Sequence, residues 1–321
     1  MPYKLQDPRR HHIDKMTFKI TNWSTYDEGL RQRGSLTFWV EEDVLQSWYA
    51  APRTTPGGQP IYADGAIEMI LTLGIVYHLP LRQTEGFARS LLSLMDLPLR
   101  VPRHSTLSRR RKTLDIRPLK PSAQGPTDIV LDGSGLKVFG AGEWCAEKHG
   151  KSSRRWRKLS IGLDPKSSEI VAHKLTDSDV GDPDLVEPLL QASGVRLRHF
   201  FADGAYDGDP IYETVRRYQA GDDSTIIVPP RRTATLSDNT DGPTERDRHI
   251  KMIREHGRMA WQKATDYGRR SLVETAFGRY KSIIGDSLSA RDDDAQVAEI
   301  AIGIKALNRM IRAAKPISVR A

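Results

Sequence analysis

The chain has 321 residues, 38% hydrophobic and 28% charged, which is enough to bury a core and excludes a disordered polymer. Its formal charge of +8 suits a polyanionic partner, and its one cysteine, Cys145, excludes an internal disulfide and fits a reducing cytoplasm. No apolar run opens the sequence, and the longest apolar stretch, residues 67–79, contains Glu68, so neither a secretory leader nor a membrane span is expected.

Residues 1–35 are mostly polar, with Pro8 among basic side chains, and read as a mobile basic arm. From residue 36 to 117 the pattern is helical. Val40, Val44, Leu45 and Trp48 recur at helical spacing, and Ile67, Ile70, Leu71 and Val76 do so again after a Pro/Gly-rich break at 51–60. A helix is expected over 81–95 with Phe87, Leu91 and Leu94 inward, and a second over 106–114 capped by Ser105. The second helix carries Arg109, Arg110, Arg111 and Lys112. The pair suits a helix-turn-helix reader of duplex DNA, although its connection is longer than the usual three- or four-residue turn; a supporting helical hairpin is the alternative.

A Pro/Gly/Ser stretch at 118–126 marks the expected boundary between this helical DNA-binding domain and a second domain, 118–321. There, short apolar strands are expected at 128–131, 159–163, 170–174, 199–202 and 225–228, with helices at 184–192 and 210–218. Three strands, helix, strand, helix, strand and a helical tail suit a mixed α/β sheet. Its first three strands would form hairpins and its later ones run parallel through crossover helices. Ahead of the second strand, Arg154, Arg155, Trp156, Arg157 and Lys158 could hold phosphates, with Trp156 stacking on an unpaired base or sitting in the core.

Asp132 and Asp203 each end an expected strand and precede a glycine. Either alone is an ordinary Asp-Gly turn, but carboxyl ends of parallel strands are where α/β sheets bind ligands. In the helix that follows, Tyr267, Arg270, Glu274 and Lys281 stand three, four and seven residues apart. At about 100° per residue they fall within roughly 60° of one another, beside an apolar face of Val273, Phe277, Tyr280 and Ile284. A solvated charged face would look the same from spacing alone.

The order Tyr267-x-x-Arg270-x-x-x-Glu274-x-x-x-x-x-x-Lys281 resembles the Tyr-Arg-Glu-Lys signature of bacterial insertion-sequence transposases with a DDE triad. Leu81-Arg-Gln-Thr-Glu-Gly-Phe, Ser105-Thr-Leu-Ser-Arg-Arg-Arg-Lys, Ala202-Asp-Gly-Ala-Tyr-Asp and Gly257-Arg-Met-Ala-Trp-Gln-Lys are similar to the insertion-sequence-five family. The resemblance spans roughly residues 30–315. It implies a ribonuclease-H-like catalytic fold with Asp132, Asp203 and Glu274 as catalytic metal ligands.

Carboxylates are the right ligands for such chemistry. Two hard cations, Mg2+ or Mn2+, can serve the attacking and leaving oxygens of an in-line phosphoryl displacement. The expected partners are double-stranded DNA, both terminal inverted repeats and target, and a second copy of the chain on that DNA. The expected location is the bacterial cytoplasm, at the nucleoid. A nuclease that cuts without joining and a DNA-binding regulator that no longer cuts are the rival functions. The candidate end-recognition helices argue against the first and the intact triad against the second. Zinc chemistry is not supported, since His11/His12 and His249/His256 lack cysteine partners and read as surface residues.

Overall fold

The computed structural model describes residues 17–54, 56–116, 119, 125–138, 156–219, 224–238 and 242–320. The chain divides into two compact units, one formed by 1–38 with 309–321 and the other by 39–308.

In the first unit, β1 (Phe18–Ile20) precedes α1 (Trp23–Gly34), so this part of the expected arm is regular structure. Two things order it. β1 pairs antiparallel with the C-terminal strand β8 (Ser318–Arg320), and the Asn22 side chain donates to Lys315 O (2.9 Å) and accepts from Ile317 N (2.8 Å). Nothing in the local sequence of 18–34 reveals a partner almost three hundred residues away.

In the second unit, α2 (Leu36–Trp39) ends as the unit begins, and α3 (Glu42–Gln46), α4 (Asp64–Val76), α5 (Leu81–Leu94) and α6 (His104–Arg111) follow. α4 is the apolar run of the sequence. Ile67, Ile70, Leu71 and Leu73 are buried in it, and Glu68 is neutralised by Lys305 at 2.5 Å. Among the described residues no single helix is long and apolar enough to cross a membrane. α5 turns Thr84, Ala88, Leu91 and Leu92 inward, whereas Leu94 is 83% exposed, because at about 100° per residue it points away from Leu92. α6 begins two residues earlier than expected. Glu85 of α5 accepts from the His104 N–H at 2.8 Å, so a carboxylate from another helix caps α6 and Ser105 lies inside it.

The sheet follows: β2 (Thr127–Val138), β3 (Trp156–Leu163), β4 (Ile170–Asp177), α7 (Val186–Ser193), β5 (Leu197–Phe201), α8 (Asp209–Tyr218) and β6 (Thr225–Ile227). Its order is β4-β3-β2-β5-β6, antiparallel across β4-β3-β2 and parallel across β2-β5-β6. This matches the expected hairpins followed by crossovers, and it fits a ribonuclease-H-like sheet. Ile129, Leu131 and Phe200 pack with Val186, Leu189 and Leu190 of α7 and Ile211, Tyr212 and Val215 of α8.

α9 (Glu245–His256) and α10 (Arg258–Ala264) lead to α11 (Ser271–Ile283), which packs on β2 and β3; β7 (Ser287–Leu288) then pairs with the far end of β2, and α12 (Asp293–Ala313) completes the helices. Gly303 of α12 sits so close to α11 that a Cβ there would lie 2.9 Å from Ile284 Cγ2 and 3.2 Å from the Tyr280 hydroxyl. The helices of 64–116 and the sheet belong to one compact unit. Ile302 of α12 joins the core formed by Trp48, α4 and α5, and Lys112 of α6's final turn meets Asp292 at 2.7 Å. Most of 118–126, where the domain boundary is expected, lies outside the described residues.

His249 and His256 differ in place. His256 is exposed, but His249 is buried, donating from Nε2 to Ile226 O (2.8 Å) and accepting on Nδ1 from Trp261 (2.9 Å). Those two bonds define a neutral ring, and burial pushes its pKa down. It is a core residue rather than a surface one; its partners come from a strand and a helix that spacing alone could not bring together.

Candidate active site

β2 alternates its side chains: Ile129 and Leu131 enter the core, while Asp128, Val130 and Asp132 face the other way. Asp132 does not end the strand, as its Asp-Gly dipeptide suggests, because β2 continues to Val138 and pairs with β3 through Lys137. Gly133 serves close packing there. A Cβ on it would lie 2.9 Å from Asp182 Oδ1, 3.1 Å from Lys158 Cε and 3.3 Å from Ser160 Oγ. Asp203 does follow the end of its strand. It caps a short turn, Gly204–Tyr206, by accepting from Ala205 N at 2.8 Å. Val130 and Phe201 are register partners on the parallel strands β2 and β5, so Asp132 and Asp203 lie level, two residues beyond them.

The turn carrying Asp203 is held from outside. Arg231 donates to Gly204 O (3.3 Å) and Ala205 O (3.0 Å), and its backbone N–H donates to the buried Asp207 carboxylate (2.9 Å). Arg246 grips the same carboxylate with two bonds, at 2.7 and 3.2 Å.

Tyr267 and Arg270 precede α11 in a tight helical turn, Tyr267–Arg270, while Glu274 lies in the first turn of α11 proper. The expected stripe is therefore kept, with a change of helix type in its middle. Its apolar side is as expected, with Val273, Phe277 and Tyr280 buried. Tyr267 rests on Trp261, ring centroids 5.1 Å apart, and burial pushes its phenol up to about 12, against the nearby Arg270 charge.

The three carboxylates converge on one cation. Arg270 Nη1 lies 2.5 Å from Glu274 Oε1, and Arg270 Nη2 lies 3.0 Å from Asp132 Oδ2 and 3.8 Å from Asp203 Oδ2. Burial works against the Arg270 charge, but Asp132, Tyr267, Glu274 and Asp203 more than restore it, and its pKa is raised. Burial likewise pushes the Asp132 carboxyl up, aided by Asp203 and Asp182 and opposed by Arg270 and the Gly133 N–H. Lys281, two turns beyond Glu274, donates to the Ser134 hydroxyl at 2.7 Å, one alternation along β2 from Asp132.

The basic residues are placed less simply. Arg110 pairs with Asp64 and donates to Tyr62 O (3.0 Å), Arg111 is turned inward with Glu299 as its ion partner at 3.9 Å, and Lys112 meets Asp292. Only Arg109 of the four is exposed without an ion pair among the described residues. Arg154 and Arg155 lie outside the described residues. Trp156 is 40% exposed on β3, neither free nor in the core. Arg157 is buried, with Asp293 at 3.1 Å and Asp177 at 3.5 Å. Lys158 meets Asp182 at 2.6 Å.

Two residues beside the site escape sequence reasoning. Asp128 has no exposed side-chain surface and accepts from Arg198 (2.8 Å twice), His199 (2.8 Å) and Arg269 (2.6 Å). Asp182 reaches the Asp132 carboxyl electrostatically from the loop after β4. The only available signals are the Asp-x-x-x-Asp spacing on β2 and the position of Arg269 next to Arg270.

A family described as Transposase DDE domain matches residues 123–309, and a second family with the same description matches residues 31–141. The first match covers more than half the chain and contains all three carboxylates. The chain belongs to the DDE transposases. It is a DNA-cleaving and strand-transferring enzyme of the insertion-sequence type, from a family that depends on divalent metal. Among solved structures, the transposase is similar to the piggyBac transposase in a synaptic complex with hairpin DNA, at 11% identity over 92% of this chain and 77% of that one (TM-score 0.40). It is also similar to the Drosophila P element transposase in a strand transfer complex, at 14% identity over 64% and 47% of the two chains (TM-score 0.30).

Proposed function

We propose that this transposase binds the terminal inverted repeats of an insertion sequence of the insertion-sequence-five branch, cuts the element ends and joins the 3′-hydroxyls to target DNA. The observation that carries the reading is the convergence of Asp132, Asp203 and Glu274, from three separate elements, on the single guanidinium of Arg270. Six hard oxygens gathered round a positive charge suit Mg2+ or Mn2+. These three side chains would hold two ions, which when bound supply charge at the leaving 3′-oxygen and acidify an attacking water.

The chain's own groups bind and orient the DNA. Arg270 can grip a phosphate with two parallel hydrogen bonds, as it now grips carboxylates. Lys281 and Tyr267 flank it on the stripe, Lys158 stands on β3 with Trp156 offered to an unpaired base, and Arg154 and Arg155, which precede β3 in sequence, add phosphate contacts. Helices α5 and α6 read the element ends through Arg109, the basic residue of α6 left exposed without an ion pair among the described residues, while Arg110, Arg111 and Lys112 are held by Asp64, Glu299 and Asp292. Two copies of the chain act together on DNA at the bacterial nucleoid.

The test is an assay for joined products with the element's own ends and Mg2+. Parent protein should cut and join. Asp132→Asn, Asp203→Asn and Glu274→Gln should do neither while still binding the ends. Cutting without any joined product would leave a nuclease, and joining by a triad variant would move the active site elsewhere. Lys281→Ala, which removes one hydrogen bond of a half-buried lysine to the Ser134 hydroxyl, and Arg270→Lys, whose ammonium cannot reproduce the guanidinium fork, should slow cleavage while the protein stays folded.

A further inference from the structure

The Arg270 guanidinium occupies the centre of the triad. It donates to Glu274 at 2.5 Å and to Asp132 at 3.0 Å and stands 3.8 Å from Asp203, while its Nε is buried with no hydrogen-bond partner. Among the described residues no other cationic group forms an ion pair with the three carboxylates. Lys281 is bonded to the Ser134 hydroxyl and Lys158 to Asp182. Among the described residues, no three carboxyl, imidazole or thiol groups form an open nest for an ion. The triad is arranged around a cation that belongs to the chain.

One delocalised charge against three carboxylates is incomplete compensation, and the guanidinium fork that fits a carboxylate fits a phosphate equally well. A duplex entering the site therefore offers Arg270 a second set of oxygens. Transferring the guanidinium to a phosphate leaves the carboxylates with no counter-charge and adds a further anion beside them. Both changes strengthen the site's attraction for divalent cations. The exchange requires movement of one side chain only, because the backbone around it is anchored. The preceding residue, Arg269, is held by buried Asp128 at 2.6 Å, and Tyr267 rests on Trp261.

We infer that Arg270 is the resident counter-ion of the triad, holding Asp132, Asp203 and Glu274 in the DNA-free protein and yielding them to divalent metal when a DNA phosphate takes its guanidinium. The inference rests on the reading of these carboxylates as metal ligands. Its consequence is an order of assembly in which the cutting centre fills on DNA and stays closed off it. Linkage makes the coupling reciprocal, so metal must tighten DNA binding by the same factor by which DNA tightens metal binding.

The experiment measures Mn2+ uptake by the full-length protein from the loss of the free aqueous ion's electron paramagnetic resonance signal. The titration is run with and without a short duplex of arbitrary sequence at low salt. The duplex should tighten Mn2+ binding by the parent about tenfold or more, within the range usual for coupled sites. Without the duplex, Arg270→Gln should bind Mn2+ more tightly than the parent does, and the duplex, which then adds only its own phosphate charge, should tighten binding by the variant less than it tightens binding by the parent. Asp132→Asn should lose the uptake in both proteins, which places the ions at the triad. Equal Mn2+ affinity of the parent with and without duplex overturns the resident counter-ion and leaves the metal reading standing. Absence of uptake by the parent and by Arg270→Gln in every condition overturns the metal reading itself. Where thermal unfolding shows that Arg270→Gln is not folded, the two arms with parent protein decide.

Discussion

Arg269 and Asp128 are joined at 2.6 Å, and the next residue, Arg270, is joined to Asp132 four positions farther along the same strand. Two consecutive arginines thus grip two carboxylates on one face of β2, roughly 13 Å apart along the strand. The first carboxylate is wholly buried and holds two further partners, Arg198 and His199. The second belongs to the triad. β2 therefore acts as a ruler for the turn Tyr267–Arg270, and the outer pair sets where the inner one falls.

This division of labour gives different costs at the two ends of the outer pair. Asp128→Ala removes the hub for three side chains and should lower stability by roughly 3–5 kcal/mol, the usual loss when one member of a buried charged network is deleted. Arg269→Gln leaves two donors on the Asp128 carboxylate and should cost roughly 1–2 kcal/mol, the value of a charge-assisted hydrogen bond in a partly exposed place. Urea unfolding measures both. The Arg269 variant should nevertheless cleave more slowly than its small stability loss suggests, since the turn that aims Arg270 has lost its anchor. Parental cleavage by Arg269→Gln would show that α11 alone positions Arg270.

The basic run on α6 yields a sharper test than its charge does. Arg110 and Lys112 are spent on Asp64 and Asp292, and Arg111 faces Glu299. Arg109→Gln should therefore weaken duplex binding most. The slope of log affinity against log salt should flatten by about 0.9, one released counterion. Arg111→Gln should act on stability and leave that slope nearly unchanged. A salt titration of both variants separates them, and equal slopes in parent and Arg109→Gln would take α6 off the DNA.

The contrast between these residues shows what a single sequence discloses. The order of strands and helices was legible because each strand is a short apolar run and each helix has its own period. That Asp132, Asp203 and Glu274 belong together is legible through the resemblance to a known motif, and the Glu274 stripe is legible because helical spacing is local. Which arginines face solvent was not, since Asp64, Glu299 and Asp292 lie far from α6 in sequence. The end of β2 was misjudged for a related reason. Gly133 follows an aspartate as turn glycines do, yet it is glycine because Asp182, Lys158 and Ser160 crowd its missing Cβ. Likewise, Ser105 has the chemistry of a cap, but Glu85 from α5 does the capping.

Acid should destabilise the protein through a half-buried histidine on β4, His173. Burial, with Lys174 adding repulsion, pushes the His173 imidazole down to about 4, below its ordinary value of about 6.5. Between these values the unfolded chain holds the extra proton and the folded protein does not, so stability falls as pH falls. The contribution is complete above about 6.5 and is lost progressively down to about 4, below which it changes no further. His249, also pushed down by burial, adds to the same trend. Melting temperatures measured across this window should decline in the parent and decline less in His173→Gln. Identical slopes would mean that His173 titrates normally in the folded state.

The last prediction concerns the glycine beside the first triad aspartate. In Gly133→Ala the new methyl would stand 2.9 Å from Asp182 Oδ1, which must shift, and 3.1 Å from Lys158 Cε and 3.3 Å from Ser160 Oγ, which must each give by a few tenths of an ångström. Two ways out exist, and both pass through the site. Either the Asp182–Lys158 pair, now at 2.6 Å, is pushed aside and the charge facing Asp132 changes, or β2 shifts and takes Asp132 with it. Overpacking of this kind costs about 1–3 kcal/mol, which a folded domain of ordinary stability survives. Cleavage is more sensitive, because displacing a reacting group by about 1 Å can cost on the order of a hundredfold in rate. Gly133→Ala should therefore remain folded by circular dichroism, unfold at moderately lower urea concentration, and cleave element ends far more slowly than that loss alone explains. Ser160→Gly in the same chain removes only the 3.3 Å contact and should restore stability more than rate, since the closer Asp182 contact remains. Restoration of rate by Ser160→Gly would shift the critical crowding from Asp182 to β3.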